Sequence, residues 1–578
     1  MRDLRFLWGG LTSLGLGLGL LLNAARADQP PPQNNLVYEV FVRSFVRGDG
    51  ADAKGDGNLK GVVQKLDAYL NDGKPETDGD LEVGVLWLMP TFPTTSYHGY
   101  DVTDYRAVNG DYGTLDDMKL LLAEAHKRGV RVILDIPLNH TSDRHPWFLQ
   151  ATQDPLSEYR GYYHFAVDEG ARPGGWHAVP NPNAKLRYFG LFSSKMPDLN
   201  LQNRKVREEL KAIAKFWLDL GVDGFRLDAA KHIYGDRFDA LREPEILRNN
   251  DWWLEFSEFV QREKKGALLV GEVLGDPELL RRHAWGLEGL IDEPFMNEAR
   301  VQVSWPGDGF LARRKAFIDR ARELHRSAFS PDKMFAYQPF QSFGYVASHD
   351  RNPRLASDLE EMKRNGMTAE VDQAYRLAMY VLLTVSSRPI LYNGDELMQR
   401  GWKWNGNPPN AAQEPGDGSG MYDETLREPF PWYRTKQGPG QTTWMQPRYQ
   451  KADDGISREE QERPDSMLAL VRALCHLRAR HPALADGDFG GLLNDTKEWL
   501  VFEKSVGTER YVVLINQLGH GNNYDFHAQW YPAYRGAQLI FWSDGQQKQW
   551  RDTTKQNKRI ANSVYVPPYG LVVIRQAR

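Results

Sequence analysis

At 578 residues, 41% hydrophobic and 26% charged, the chain has the make-up of a globular protein with length for a large core and more than one domain. A net charge of −5 gives no reason to expect a nucleic-acid or membrane-surface partner. Cys475 is the one cysteine, which excludes an intrachain disulfide.

Residues 1–27 read as a secretory signal peptide. Arg2 and Arg5 give the positive start, 6–22 is apolar, and Ala25 and Ala27 form a small-x-small cleavage site. The expectation is a secreted or periplasmic protein with no membrane partner after cleavage; an uncleaved anchor is the alternative, and the stretch is short for one. Residues 36–45 are the first predicted strand, feeding an Asp- and Gly-rich loop at 49–58. Residues 84–90 are the second strand, followed by a loop in which Tyr97, His98 and Tyr100 surround Gly99. Thr114 to Arg128 has a helix pattern ended by Gly129. The third strand begins at Val130, and Asp135, Asn139 and His140 gather towards its end.

Residues 141–195 are rich in Pro, Gly, Trp and Tyr and lack a helix period, so they read as a small subdomain inserted over the third loop. Beyond them a helix pattern over 206–220 aligns Val206, Leu210, Ile213, Ala214, Trp217 and Leu218 in one stripe. Gly221 follows, where a helix end wants positive φ. Residues 224–228 form a short buried strand with Arg226 and Asp228 on one face. Two opposite charges on a core strand are costly unless they pair or face a cleft, and both readings stand at this point. The same pattern recurs at 266–272, ending on Glu272, and at 343–350, ending on His349 and Asp350. Apolar strands whose polar residues collect at their C-terminal ends mark a β/α barrel with its site at that face.

Residues 289–294 are predicted as strand six, 369–386 as a long apolar helix, and 389–396 as strand eight with its loop. Residues 401–446 read as a long rim, and 466–480 as the last barrel helix, with Cys475 packed inside it. From 486 onward, alternating stretches at 498–504, 510–516, 537–542 and 570–575 predict strands separated by turns.

The motifs 135–140, 224–232, 271–273 and 347–350, in that order, resemble those of the α-amylase superfamily, glycoside hydrolase family 13. The resemblance spans nearly all of the chain after 27. It implies an α/β (β/α)8 TIM barrel in two parts, 28–140 and 196–485, with the subdomain at 141–195 inserted after strand three and an antiparallel β-sandwich over 486–578. Residues 196–200 look intermediate between the oligo-1,6-glucosidase and neopullulanase groups, as in the intermediary bacterial α-amylases. The implied activity is retaining hydrolysis of α-1,4-glucosidic bonds in an α-glucan substrate. A neopullulanase or cyclomaltodextrinase-like hydrolase, an α-glucan transglycosylase and a non-catalytic glycan-binding protein are the alternatives.

By the same resemblance, Asp228 matches the nucleophile, Glu272 the acid/base and Asp350 the third acid. Arg226 aims Asp228. His98, Tyr100, His140 and His349 meet the sugar at the cleavage point, with Lys231 and His232 on the leaving-group side. Relatives that clip single glucose units often have Asp where Tyr97 stands, so Tyr97 leans the reading towards longer chains. The chemistry needs no organic cofactor. In many relatives the loop at 49–58 holds a structural calcium ion, which here points to Asp49, Asp52 and Asp56, although Ala51 and Lys54 interrupt the spacing. A plain solvated turn is the alternative.

Overall fold

The computed structural model describes residues 35–50, 54–167, 174–179, 185–234, 243–328, 340–367, 370–405, 421–526, 536–545, 548–553 and 563–576. The expected signal peptide at 1–27 and Asp52 lie outside these residues.

Eight short parallel strands form the central sheet: β1 (Val37–Val40), β2 (Val85–Leu88), β3 (Arg131–Ile136), β4 (Gly224–Leu227), β5 (Leu268–Gly271), β6 (Gly289–Asp292), β7 (Gln341–Gly344) and β8 (Ile390–Tyr392). They neighbour one another in the order β7, β6, β5, β4, β3, β2, β1, β8, which curls the sheet into a nearly closed barrel. Side chains alternate between two cores, as the two-residue strand period requires. Tyr38, Val40, Val132, Leu134, Phe225 and Leu227 point outward to the surrounding helices. Val37, Val85, Ile133, Leu268, Val270 and Ile291 fill the barrel interior. One step further along their strands, the inward positions are Glu39, Trp87, Asp135 and Arg226. The barrel is therefore packed with hydrocarbon at its N-terminal end and lined with charge at the other.

The helix Arg204–Leu220 buries Val206, Leu210, Ile213, Ala214, Trp217 and Leu218, and Gly221 ends it at φ 119°. This is the stripe the sequence predicts. Gly224 lets β4 press against β5: a Cβ there would lie 1.9 Å from the Leu268 carbonyl oxygen, and its φ is +145°. The helix Leu115–Lys127 opens with a capping box between Thr114 and Asp117.

Several predicted elements are shorter than expected. Strand one stops at Val40 and a helical turn occupies Val42–Phe45. Strand six stops at Asp292, because the Asp292 carboxylate accepts the Phe295 N–H at 2.8 Å and Pro294 is set for a first helical turn, starting the helix Glu293–Ser304. Strand seven ends at Gly344, so His349 and Asp350 stand on the loop beyond it. The insert contains a helix, Pro146–Gln153, which at two turns is too short to show a period. Next to it lies a small antiparallel sheet of Phe165–Val167, Leu186–Phe189 and Trp176–Ala178.

The C-terminal part is a six-stranded antiparallel sheet with a separate two-stranded ribbon, Asn522–Asp525 and Ser563–Val566. Both faces of the larger sheet are covered. Trp499, Val501, Val512 and Leu514 pack with Val564 and Val566 of the ribbon. Leu500, Phe502, Val513 and Ile515 join the core that surrounds the barrel. Among the described residues, no helix is long and apolar enough to cross a membrane.

Candidate active site

Arg226 is the centre of the charged end of the barrel. It is 1% exposed. Its Nη1 donates to Asp135 at 2.8 Å and to Asp228 at 2.6 Å, and its Nη2 lies 2.9 Å from Glu272. One guanidinium thus gathers acids from three adjacent strands, a task its planar fork suits and a lysine's point charge does not. The rings of Trp87 and Tyr100 lie 5.4 and 5.8 Å from it.

Burial pushes the Asp228 carboxyl up to about 6, against the pull of Arg226 and with help from Asp135 and Asp350. Asp135 is likewise pushed up by burial to about 6, with Arg226 and His349 opposing. Burial also raises Glu272, and Asp228 and Asp350 add to that while Arg226 opposes it. The backbone N–H of Ala229 donates to the other Glu272 oxygen at 2.9 Å. Acids crowded around one cation in a dry site hold a proton between them near neutrality, and it belongs to the cluster as a whole. Such a group can give a proton to a departing oxygen while a neighbour stays charged.

Asp350 behaves differently. Burial disfavours its charge, but His349 and then Arg427 hold it well below the usual carboxylate range. His349 Nε2 lies 2.7 Å from Asp350 and 2.7 Å from the Tyr100 hydroxyl. Its Nδ1 meets Glu39. Burial works against the imidazolium, yet Asp350 and Glu39 push His349 up to about 9. Arg427 grips the same loop, with Nη2 3.0 Å from Asp350 and Nε donating to the His349 carbonyl at 3.2 Å. A cavity of about 270 Å³ lies between these groups, with Arg226, Glu272, His349 and Asp350 in its wall.

The remaining predicted residues surround this centre unevenly. His98 stacks on Tyr100 at 6.0 Å, and Tyr100 on His349 at 5.8 Å. His140 is buried beside Phe192, and burial pulls it down to about 4. His232 flanks the same Phe192 ring and is pulled down to about 3 by burial and Lys231. Both imidazoles are thus neutral at pH 7. Lys231 is turned to the Leu274 carbonyl, 2.6 Å away. Tyr97 stacks on Trp444 of the rim at 5.8 Å.

The described part of the loop at 49–58 does not fit a hard cation. Asp49 is exposed. Asp56 is buried, but Arg43 Nη1 already lies 2.6 Å from it. Lys54 reaches Asp111 at 2.5 Å, so two cationic side chains occupy the carboxylates of this corner. Calcium needs several carboxylate and carbonyl oxygens turned to one point without a competing cation, and here Arg43 already holds one oxygen of Asp56.

Sequence reasoning assigned no role to four contributors. Glu39, Trp87 and Asp135 sit in the same inward register as Arg226, and Arg427 comes from the rim. Trp87 Nε1 donates to Asp135 at 3.2 Å, and the Tyr100 hydroxyl donates to it at 3.0 Å. For Glu39 the signal was present: a carboxylate inside the apolar run of strand one, placed as Asp135 is in strand three.

Known proteins share this architecture. The family model for the alpha amylase catalytic domain matches residues 39–487. Alpha-amylase 3 of Dictyoglomus thermophilum is 33% identical over 502 residues, which cover 86% of this chain and 88% of that protein. A 4-alpha-glucanotransferase of Thermotoga maritima is 30% identical over 442 residues, 75% of this chain and 84% of that protein. The crystal structure of an alpha-amylase from H. orenii superimposes with a TM-score of 0.71 at 31% identity, covering 94% of this chain and all of that one.

Proposed function

The chain belongs to the alpha-amylase family of glucan hydrolases and transferases, and from that premise we propose that it is a secreted, retaining α-amylase cutting internal α-1,4 bonds of starch and maltooligosaccharides. The observation that carries this reading is the sharing of Arg226 by Asp228 and Glu272, with Glu272 and Asp350 in the wall of one cavity.

Retention needs a nucleophile and an acid/base about 5–5.5 Å apart. In the proposed sequence, Asp228 attacks the anomeric carbon, aimed and kept ionised by Arg226. Glu272 gives its proton to the departing glycosidic oxygen. The glycosyl–Asp228 ester is then opened by water, whose proton returns to Glu272. Asp350 faces the positive charge that develops on the ring and binds its hydroxyls. His349 and Tyr100 hold Asp350 and the sugar in register.

Transfer to a second sugar instead of water is the other reading, favoured by the similarity to the glucanotransferase. The two differ only in what opens the ester. Incubation with soluble starch, pullulan, cyclodextrin and maltotriose, followed early and late by chromatography, separates them. The amylase reading expects mixed short maltooligosaccharides from starch, pullulan left intact, and the activity in the medium or periplasm of cells carrying the full chain. Longer products from maltotriose would establish transfer, panose from pullulan a neopullulanase. An Asp228→Asn variant that hydrolysed starch at the parental rate would overturn both.

A further inference from the structure

Glu39 lies at the inward position near the end of β1, is 0% exposed, and lines the cavity that Glu272 and Asp350 also line. A buried carboxylate needs a reason to stay there, because its charge loses hydration. Its partner is the imidazole of His349, met at Nδ1. On the other side of that ring, Nε2 lies 2.7 Å from Asp350 and 2.7 Å from the Tyr100 hydroxyl.

The remaining groups around the ring complete its surroundings. The Trp87 ring of β2 stands edge-on at 6.1 Å, and Tyr392 of β8 at 6.4 Å. Asp135 of β3 is linked through the Tyr100 hydroxyl, which donates to it at 3.0 Å. That donation leaves only a lone pair of the hydroxyl for Nε2. Arg427 is bound to the backbone carbonyl of His349, not to its ring.

A neutral imidazole has one N–H and one lone pair. Here both nitrogens face oxygens that accept. Only the imidazolium satisfies both sides, and without a carboxylate beneath it the second proton would rest on Asp350 alone.

We propose that Glu39 is a positioning residue for the glycosidic reaction, holding His349 as a doubly protonated donor that orients Asp350 and reaches the sugar hydroxyls. The proposal rests on the function given above. A glutamine at 39 would accept the same hydrogen bond from Nδ1 but supply no charge. His349 would then lose its second proton within the working pH range, and its Nε2 lone pair would confront the Asp350 carboxylate. Asp350 would either turn away or take up a proton, and in both cases it would no longer face the transition state as an anion.

The test is Glu39→Gln in the full chain. Titration of His349 by NMR of labelled histidine should show its midpoint falling by about one to three pH units. The kcat/KM on a maltooligosaccharide should fall more above about pH 7 than below pH 6, with kcat bearing most of the loss. In a His349→Gln background, the same substitution should add no further loss, since the two act as one unit. An unchanged His349 midpoint, a loss equal at every pH, or additive losses in the double variant would each overturn the proposal. If the parent cleaves no α-glucan, the functional reading fails, while the NMR titration still decides whether Glu39 sets the charge of His349.

Discussion

Arg226 shows how one residue can impose different states on chemically similar neighbours. Asp135 and Asp228 are buried and Glu272 is largely covered, and desolvation alone would favour their protonated forms. The guanidinium lets a cluster of acids keep most of its charge while leaving room for one shared proton. Asp228 must be ionised to attack, and its carboxyl sits at about 6. The kcat/KM should therefore fall as pH drops through about 6, where the nucleophile gains a proton. Arg226→Lys retains a charge but cannot reach three acids at once. We expect the acidic limb of the pH profile to move upward and kcat/KM at its optimum to fall by about 10²–10³-fold, the scale of losing one preorganised electrostatic contact. A pH–rate series on one oligosaccharide checks both. Asp228, Glu272 and Asp350 are legible in the sequence because each ends an apolar strand or its loop within a recognisable motif. Glu39 shows itself only as a carboxylate within an apolar run; its role is not legible, since its partner His349 is far away along the chain. Arg427 is hidden because rim loops carry no period that points a side chain in a given direction.

Elements are legible where hydrophobic period and end signals agree. The helix Arg204–Leu220 is the clearest instance, with its stripe, its Asn203 cap and its Gly221 stop. Errors come where two elements meet without a spacer. Asp292 and Pro294 turn the end of β6 into a helix start, and composition alone cannot say which residue changes allegiance. In the loop of the calcium expectation, Asp56 is paired by Arg43, a competitor from the preceding element that the loop's own composition does not reveal. Gly224 tests whether strand contact governs the centre of the barrel. A methyl group there would meet the Leu268 carbonyl at 1.9 Å while the backbone holds φ +145°. Gly224→Ala should destabilise the protein by about 4–5 kcal/mol, in the exceptional range for a single substitution. Thermal unfolding with calorimetric detection would measure it, and a change below about 1 kcal/mol would show that β4 and β5 can part at small cost.

At the scale of the whole molecule, the six-stranded C-terminal sheet is a structural partner of the barrel and not an appendage. Leu500, Phe502, Val513 and Ile515 are part of the core that wraps the barrel, and the Lys504 ammonium donates to the Leu484 carbonyl at 2.9 Å. A chain ending at Asp486 would expose the helix surface these side chains cover. We expect it to be recovered aggregated or unfolded, as judged by size-exclusion chromatography and circular dichroism; a monomeric, folded fragment would show that the barrel stands alone. The strand Trp499–Val506 serves as a wall between two rooms, with Trp499 and Val501 in one and Leu500 and Phe502 in the other. Insertion of a single residue there would send every occupant through the wall at once. This stretch can therefore change by exchange of one side chain for another of similar bulk, but hardly by any change in length.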